Sequence, residues 1–321
     1  MNEEPLTDDL ELRKRIAAEA QTDGATAASP AVRAFQFFLV PLGIVAGCVL
    51  VYALFAFVLV NPRSARDWLT DLQAGGPNTR YHAALQLSQA IRRMDVPDTR
   101  LTPEILALFK GAPTEESAGP LKHEFNMRAY LATCLGALKD PRAGEVLLAA
   151  AGKDANLETR MACLEALGAI KDPSTLPGLV KLLDDPEGVV RKYAALNVGA
   201  VAEKAGDRSV VDPLKKLLAD PLPDVGWNAA LALGYFLGDS AGNDTLMKML
   251  DRKYLAERIR REDPKAEDLI AKVQVMACNA AAKLKDPGFL PGLRRLTDDS
   301  VEPHSEVRFI AHKAIASIQA K

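Results

Sequence analysis

The sequence predicts an all-α protein: an α-solenoid of about six helix pairs closed by a terminal capping helix, with a single transmembrane helix ahead of it. Three observations lead there. Apolar residues fall at helical spacing in short runs broken by Asp/Pro turns; these runs share one register along the chain; and residues 34–60 form an apolar stretch without a charge.

The repeating unit is plainest at 159–186. Cys163, Leu164, Leu167 and Ile170 lie on one face of a first helix. Lys171-Asp172-Pro173 ends it, because proline brings no amide N–H, and the aspartate is placed to cap the second helix. That second helix carries Leu176, Leu179, Leu182 and Leu183, with Pro177 in its first turn, where a missing N–H is tolerated. Neither helix can bury its stripe alone, so the unit needs neighbours.

One register supplies them. Anchoring on Arg160 and taking a small residue eight positions on gives Arg80/Ser88, Arg128/Gly136, Arg160/Gly168, Arg191/Gly199, Gly226/Gly234, Val273/Ala281 and Arg308/Ala316. The residue before the small one is always apolar: Leu87, Leu135, Leu167, Val198, Leu233, Ala280, Ile315. Most anchors are about 31–35 residues apart, the period of a stacked helical array, and two steps are lengthened to about 47–48. The insertions responsible fall at 89–127 and 251–271.

In these features the chain resembles HEAT-repeat proteins, specifically the short bacterial repeats described as HEAT-like or phycobilisome-lyase-like. The resemblance rests on Arg128, Arg160, Arg191 and Arg308 entering first helices, and on Asp172, Asp207, Asp239 and Asp286 at the turn within each pair. Leu-x-x-Leu-Leu runs such as Leu179 to Leu183 match in second helices, and the likeness covers 76–321. It implies that these Arg and Asp positions form a ladder tying one repeat to the next. It implies architecture more than activity, since such arrays serve as scaffolds, adaptors and a few enzymes.

Composition agrees with thin, closely packed helices: 48% hydrophobic but only 6% aromatic. No segment alternates β-branched residues with period two, so almost no strand is expected. The formal net charge of −2 is uneven, with seven acidic and four basic side chains in 1–33. The rest is near neutral, which argues against non-specific nucleic-acid binding. Cys134, Cys163 and Cys278 fall in first helices and Cys48 in the apolar segment; without a C-x-x-C pair they read as core residues, not a disulfide framework.

Taken in order, residues 1–33 read as a disordered acidic tail. Residues 34–60, at about 1.5 Å each, reach about 40 Å against roughly 30 Å of hydrocarbon, enough for one tilted span. Arg63 and Arg66 on one side against Arg33 on the other favour a cytoplasmic repeat domain at a bacterial inner membrane; the Arg13-Lys14-Arg15 cluster opposes this. Residues 61–75 read as a juxtamembrane amphipathic linker, with Ser64 as cap and Trp68 at the interface. The first insertion holds a helix start at Thr102-Pro103-Glu104 and a turn-rich loop at 111–120. The second, densely charged, reads as an extension of the fifth repeat's second helix up to Pro264, either solvated or serving as a docking arm.

Catalytic patterns are scarce. The residues offer no phosphate-binding loop, nucleophile elbow or zinc-protease motif. HEAT-repeat hydroxylases hold two irons through paired His-Glu dipeptides, whereas this chain has one, His123-Glu124, ahead of its anchor. No cysteine or histidine stands in a pigment-handling arrangement. No metal, cofactor or enzymatic activity is therefore expected. One pattern exceeds architecture: the residue two after the lead leucine of four second helices is basic. These are Lys181 after Leu179, Lys216 after Leu214, Lys248 after Leu246 and Arg295 after Leu293. Such a stripe suits an acidic protein partner, although Asp185, Asp220 and Asp299 lie four residues on and are placed to neutralise it. The expected role is a membrane-anchored, non-enzymatic scaffold binding a protein partner. The alternative is an accessory subunit of a membrane complex, a transporter or respiratory assembly, held through 34–60, where Gly43 and Gly47 make a G-x-x-x-G face.

Overall fold

All regular structure among the described residues is helical, as expected of alanine- and leucine-rich segments without period-two alternation. The computed structural model describes residues 11–18, 35–60, 63–112, 125–259 and 264–320. They form two units, one up to Arg63 and the other from Ser64 onward.

In the first unit, 11–18 is a short exposed helix; the rest of the expected acidic tail lies outside the described residues. A π-turn over Phe35–Leu39 leads into α1 (Val40–Val60), 21 residues without an acidic or basic side chain. Its described side chains, which end at Phe55, are all exposed. Among the described residues no helix is long and apolar enough to cross a membrane.

The second unit begins with α2 (Ala65–Ala74) and continues as six helix pairs. They are α3 (Pro77–Arg92) with α4 (Thr102–Gly111), α5 (Phe125–Leu138) with α6 (Gly144–Lys153), and α7 (Leu157–Ile170) with α8 (Leu176–Lys181). Next come α9 (Gly188–Ala205) with α10 (Val211–Leu217), and α11 (Pro223–Leu231) with α12 (Asn243–Met249). A short α13 (Arg252–Ala256) precedes the sixth pair, α14 (Ala266–Leu284) with α15 (Leu290–Arg295), and α16 (Ser305–Gln319) ends the stack.

The turn inside five of the six pairs has one construction. The residue before the aspartate adopts positive φ in five pairs: Lys139, Lys171, Gly206, Gly238 and Lys285. The following aspartate then accepts the N–H two residues on: Asp140 from Arg142 at 3.0 Å, Asp172 from Ser174 at 3.1 Å, Asp207 from Ser209 at 2.8 Å. Asp239 and Asp286 do the same for Ala241 and Gly288. The left-handed residue ends the first helix, and the carboxylate satisfies a donor that the second helix would leave orphaned.

Packing explains the small residue of the register. A Cβ on Gly136 would stand 2.7 Å from the Cα of Ala166, so α5 and α7 touch backbone to backbone there. Leu135, Leu167 and Val198, one residue earlier, are fully buried. Buried residues group into two cores, one from Ala65 to Leu237 and one from Trp227 to Ala314, which meet at α11 and the π-helical segment Ala232–Phe236 after it.

Two expectations are corrected. The linker helix at 61–75 is present as α2 but belongs to the stack: Leu69 and Leu72 are 1% and 0% exposed. Its N-terminus is closed by a reciprocal capping box, Asp67 N–H to Ser64 Oγ at 3.2 Å and Ser64 N–H to Asp67 Oδ2 at 2.9 Å. Trp68 packs edge-on against His82 at 5.7 Å. The exposed side of α3 needed covering, and the nearest apolar stripe in sequence supplies it. In the second insertion, α12 does not extend; it stops, and Asp251 caps a separate α13 through the N–H groups of Lys253 and Tyr254. Leu255 and Ile259 are buried, so this insertion is pinned to the core rather than projecting as an arm. The expected loop at 111–120 beyond Ala112, and Arg260 to Asp263, lie outside the described residues.

Candidate partner-binding face and the ladder beside it

The arginines at the start of first helices form a ladder, but with a different set of acids from the one expected. Arg128 pairs with Asp154 at 2.8 Å, Arg160 with Asp185 at 2.5 Å, and Arg191 with Asp220 at 2.8 Å. These aspartates lie between repeats, and each also accepts an N–H at the start of the next first helix: Asn156, Glu187 and Leu222. The same arginines reach backwards to carbonyls closing the preceding repeat. Arg128 donates to Phe109 O and Ala112 O, Arg160 to Ala151 O, and Arg191 to Asp185 O and Pro186 O. Each guanidinium therefore spans two junctions, with its planar fork satisfied on both sides. Among the described residues Arg308 makes the backward contacts, to Glu302 O at 2.7 Å and Pro303 O at 2.9 Å.

Asp172, Asp207, Asp239 and Asp286 are instead the caps within pairs. Of these, Asp239 accepts from Arg208 at 3.1 Å and Asp286 from Asn243 at 2.7 Å. The ladder acids were legible only as an aspartate three residues ahead of each first helix, 25 to 29 residues after its arginine.

The register has no arginine at Gly226 or Val273. At the second gap the charge comes from α13: Arg252 binds Glu302 at 3.2 Å and also Glu267. Glu302 is fully buried and accepts the N–H of His304 at 3.0 Å, standing where other junctions place aspartate. The insertion thus returns the missing rung.

The basic stripe sits as its spacing implies. Leu179, Leu214, Leu246 and Leu293 are fully buried, while Lys181, Lys216, Lys248 and Arg295 are exposed. Two of the acids expected to neutralise the stripe are engaged elsewhere, Asp185 by Arg160 and Asp220 by Arg191. Among the described residues none of the four cations forms an ion pair. At the stripe's C-terminal end Arg295 lines a cavity of about 360 Å³ between α13 and the end of α15.

Chemistry elsewhere is subdued. Cys134, Cys163 and Cys278 are buried, and burial pushes each thiol up to about 12. Such thiols are held protonated and poorly nucleophilic. Among the described residues no three His, Cys, Asp or Glu side chains converge as metal ligands. His123-Glu124 lies outside the described residues.

Comparison with curated proteins finds no match. Among solved structures the chain is similar to the complex of CpcE and CpcF of phycocyanin lyase from Nostoc sp. PCC7120: 19% identity, TM-score 0.49, over 80% of this chain and 95% of that one. It is similar to YibA of E. coli at 18% identity and TM-score 0.45, over 80% and 82%. It is also similar to human deoxyhypusine hydroxylase in complex with glycerol at 20% identity and TM-score 0.33, over 83% and 99%. A family profile described as HEAT repeats matches residues 122–199 and 177–263, and the helix pairs of this region are accordingly HEAT repeats within an all-helical solenoid.

Proposed function

We propose that the protein is a non-enzymatic scaffold held at a membrane by residues 34–60, which recruits an acidic protein partner along its second helices. The observation that carries this is the free stripe: Lys181, Lys216, Lys248 and Arg295 are exposed, while the ladder arginines hold Asp185 and Asp220, the acids four residues on from two of them. A repeat array offers a long surface rather than a closed small-molecule site, which suits protein recognition. Anchoring is supported by the sequence of α1, which carries no acidic or basic side chain. Among the described residues its exposed Leu42, Val51 and Phe55 lack apolar cover, and lipid would provide it. We place the repeat domain on the cytoplasmic side of a bacterial inner membrane, on the strength of Arg63 and Arg66.

The test is crosslinking of the full-length protein in its native membrane, beside a variant carrying Lys181→Glu, Lys216→Glu, Lys248→Glu and Arg295→Glu. Loss of the co-purifying partner from the reversed variant is expected; unchanged recovery overturns the reading. A second reading, a subunit of a membrane complex held through α1, has its own observation: among the described residues nothing packs within 4 Å of where Cβ atoms on Gly43 and Gly47 would stand. Exchange of 34–60 for an unrelated spanning helix separates the two, because a scaffold keeps its partner and a subunit loses it.

A further inference from the structure

The cavity at the end of the stripe combines apolar walls with exposed cations. Leu250, Leu296 and Val301 give it apolar walls, and Val301 is 44% exposed at its edge. Arg252, Lys253 and Arg295 also line it. Arg252 is committed to Glu302 and Glu267, but Lys253 and Arg295 are exposed and form no ion pair among the described residues. The one acid in the wall, Asp251, turns a carboxylate oxygen onto the N–H groups of Lys253 and Tyr254, at 2.9 and 3.3 Å. A concave apolar floor with free cations at its rim selects an apolar group with negative charge beside it. The apolar part gains by leaving water, and the rim charges orient the approach.

We propose that this cavity seats an apolar side chain from an acidic peptide segment, with the flanking carboxylates on Lys253 and Arg295. The proposal rests on the scaffold reading and deepens it by naming where the partner is anchored and what it presents. The volume, about 360 Å³, accommodates a leucine-sized side chain together with neighbouring main chain. The remaining stripe cations, Lys248, Lys216 and Lys181, would then meet further acids along the same segment.

The experiment is fluorescence anisotropy of a labelled Asp-Glu-Leu-Asp-Glu peptide with the full-length protein in detergent, beside Asp-Glu-Ser-Asp-Glu and Lys-Lys-Leu-Lys-Lys. The leucine peptide should bind, and the other two should bind at least about tenfold more weakly. Lys253→Glu and Val301→Ser, both outside the stripe, should each weaken the leucine peptide about tenfold with unchanged helical circular dichroism. Lys181→Glu with Lys216→Glu should weaken it no more than about threefold, because those side chains meet only distal charge. Equal binding of the serine peptide, wild-type binding by both cavity variants, or no binding of the acidic peptide overturns the proposal. If the cavity variants bind normally and the Lys181/Lys216 variant does not, the cavity assignment falls while the stripe stands. Insensitivity to both sets of variants, together with unchanged partner recovery by the four-site reversed variant, removes the stripe as well.

Discussion

Arg191 holds Asp220 with two donors, Nε at 2.8 Å and Nη2 at 3.1 Å, across the boundary between the fourth and fifth helix pairs. The side chains are 15% and 5% exposed, so both charges have largely left water. Breaking such a pair strands a desolvated charge, which costs more than the intact pair contributes. Arg191→Met and Asp220→Asn should each lower stability by about 3 kcal/mol, and the double variant by clearly less than the sum. Urea unfolding of the four proteins measures the coupling, and strictly additive losses would show that the rung carries none.

The same pair makes part of the stability acid-sensitive. The Arg191 hydrogen bond holds the Asp220 carboxyl below its ordinary 3.8, against a smaller opposing effect of burial, and Arg142 does the same for Asp140. A carboxylate whose folded pKa lies below its unfolded one adds stability above the unfolded value. That contribution is lost as the pH falls through the folded pKa. The difference in stability between wild type and Asp220→Asn should therefore be largest above about pH 4 and shrink on further acidification. A gap that stays constant across an acid titration would refute this.

Lys285 sits at φ 53°, in the left-handed region, ahead of Asp286. A side chain with a Cβ is strained there, and glycine is not. Lys285→Gly should raise stability by about 0.5–1 kcal/mol, the reverse of the usual effect of glycine beside a helix. Thermal melting of this variant beside Lys283→Gly, two residues earlier inside α14, should show opposite signs.

Gly136 lies where α5 meets the backbone of α7 at Ala166. Gly136→Val should force those helices apart and cost about 1–3 kcal/mol or more, whereas the same change at Gly152, where the nearest atom to an added Cβ is Leu182 Cδ2 at 3.7 Å, should disturb packing less. Equal melting temperatures for the two variants would argue against close helix contact as the reason for the small residue.

Arg252 reaches from α13 to the fully buried Glu302. Arg252→Met should destabilise the C-terminal pairs by about 3–5 kcal/mol, and adding Glu302→Gln should recover part of this by removing the stranded charge. Hydrogen exchange localised to α14–α16 would read both effects; no change there would mean that the insertion does not replace a rung.

Much of this was legible beforehand because it is local. Leu164 and Leu167 share a face through the helical period, and Asp172 caps because Pro173 comes directly after it, both within a few residues. The stripe was legible for the same reason, since burial of Leu179 directs Lys181 outward on the same helix. The partners of the arginines were not, because Arg160 and Asp185 meet only after two helices have folded back on each other, and a nearer aspartate, Asp172, was the plausible candidate.

Helix pairs, their register, the turn chemistry and the positions of the exposed cations follow from short stretches of chain. Tertiary structure decided which acids close the ladder, that α2 covers the first pair, and that α13 supplies Arg252 to Glu302 across 50 positions. It also decided that Asp185 and Asp220 are unavailable to the stripe beside them. The physical reason is competition: a carboxylate goes to the donor that offers the best geometry and the least water, and that donor is named only once distant segments pack.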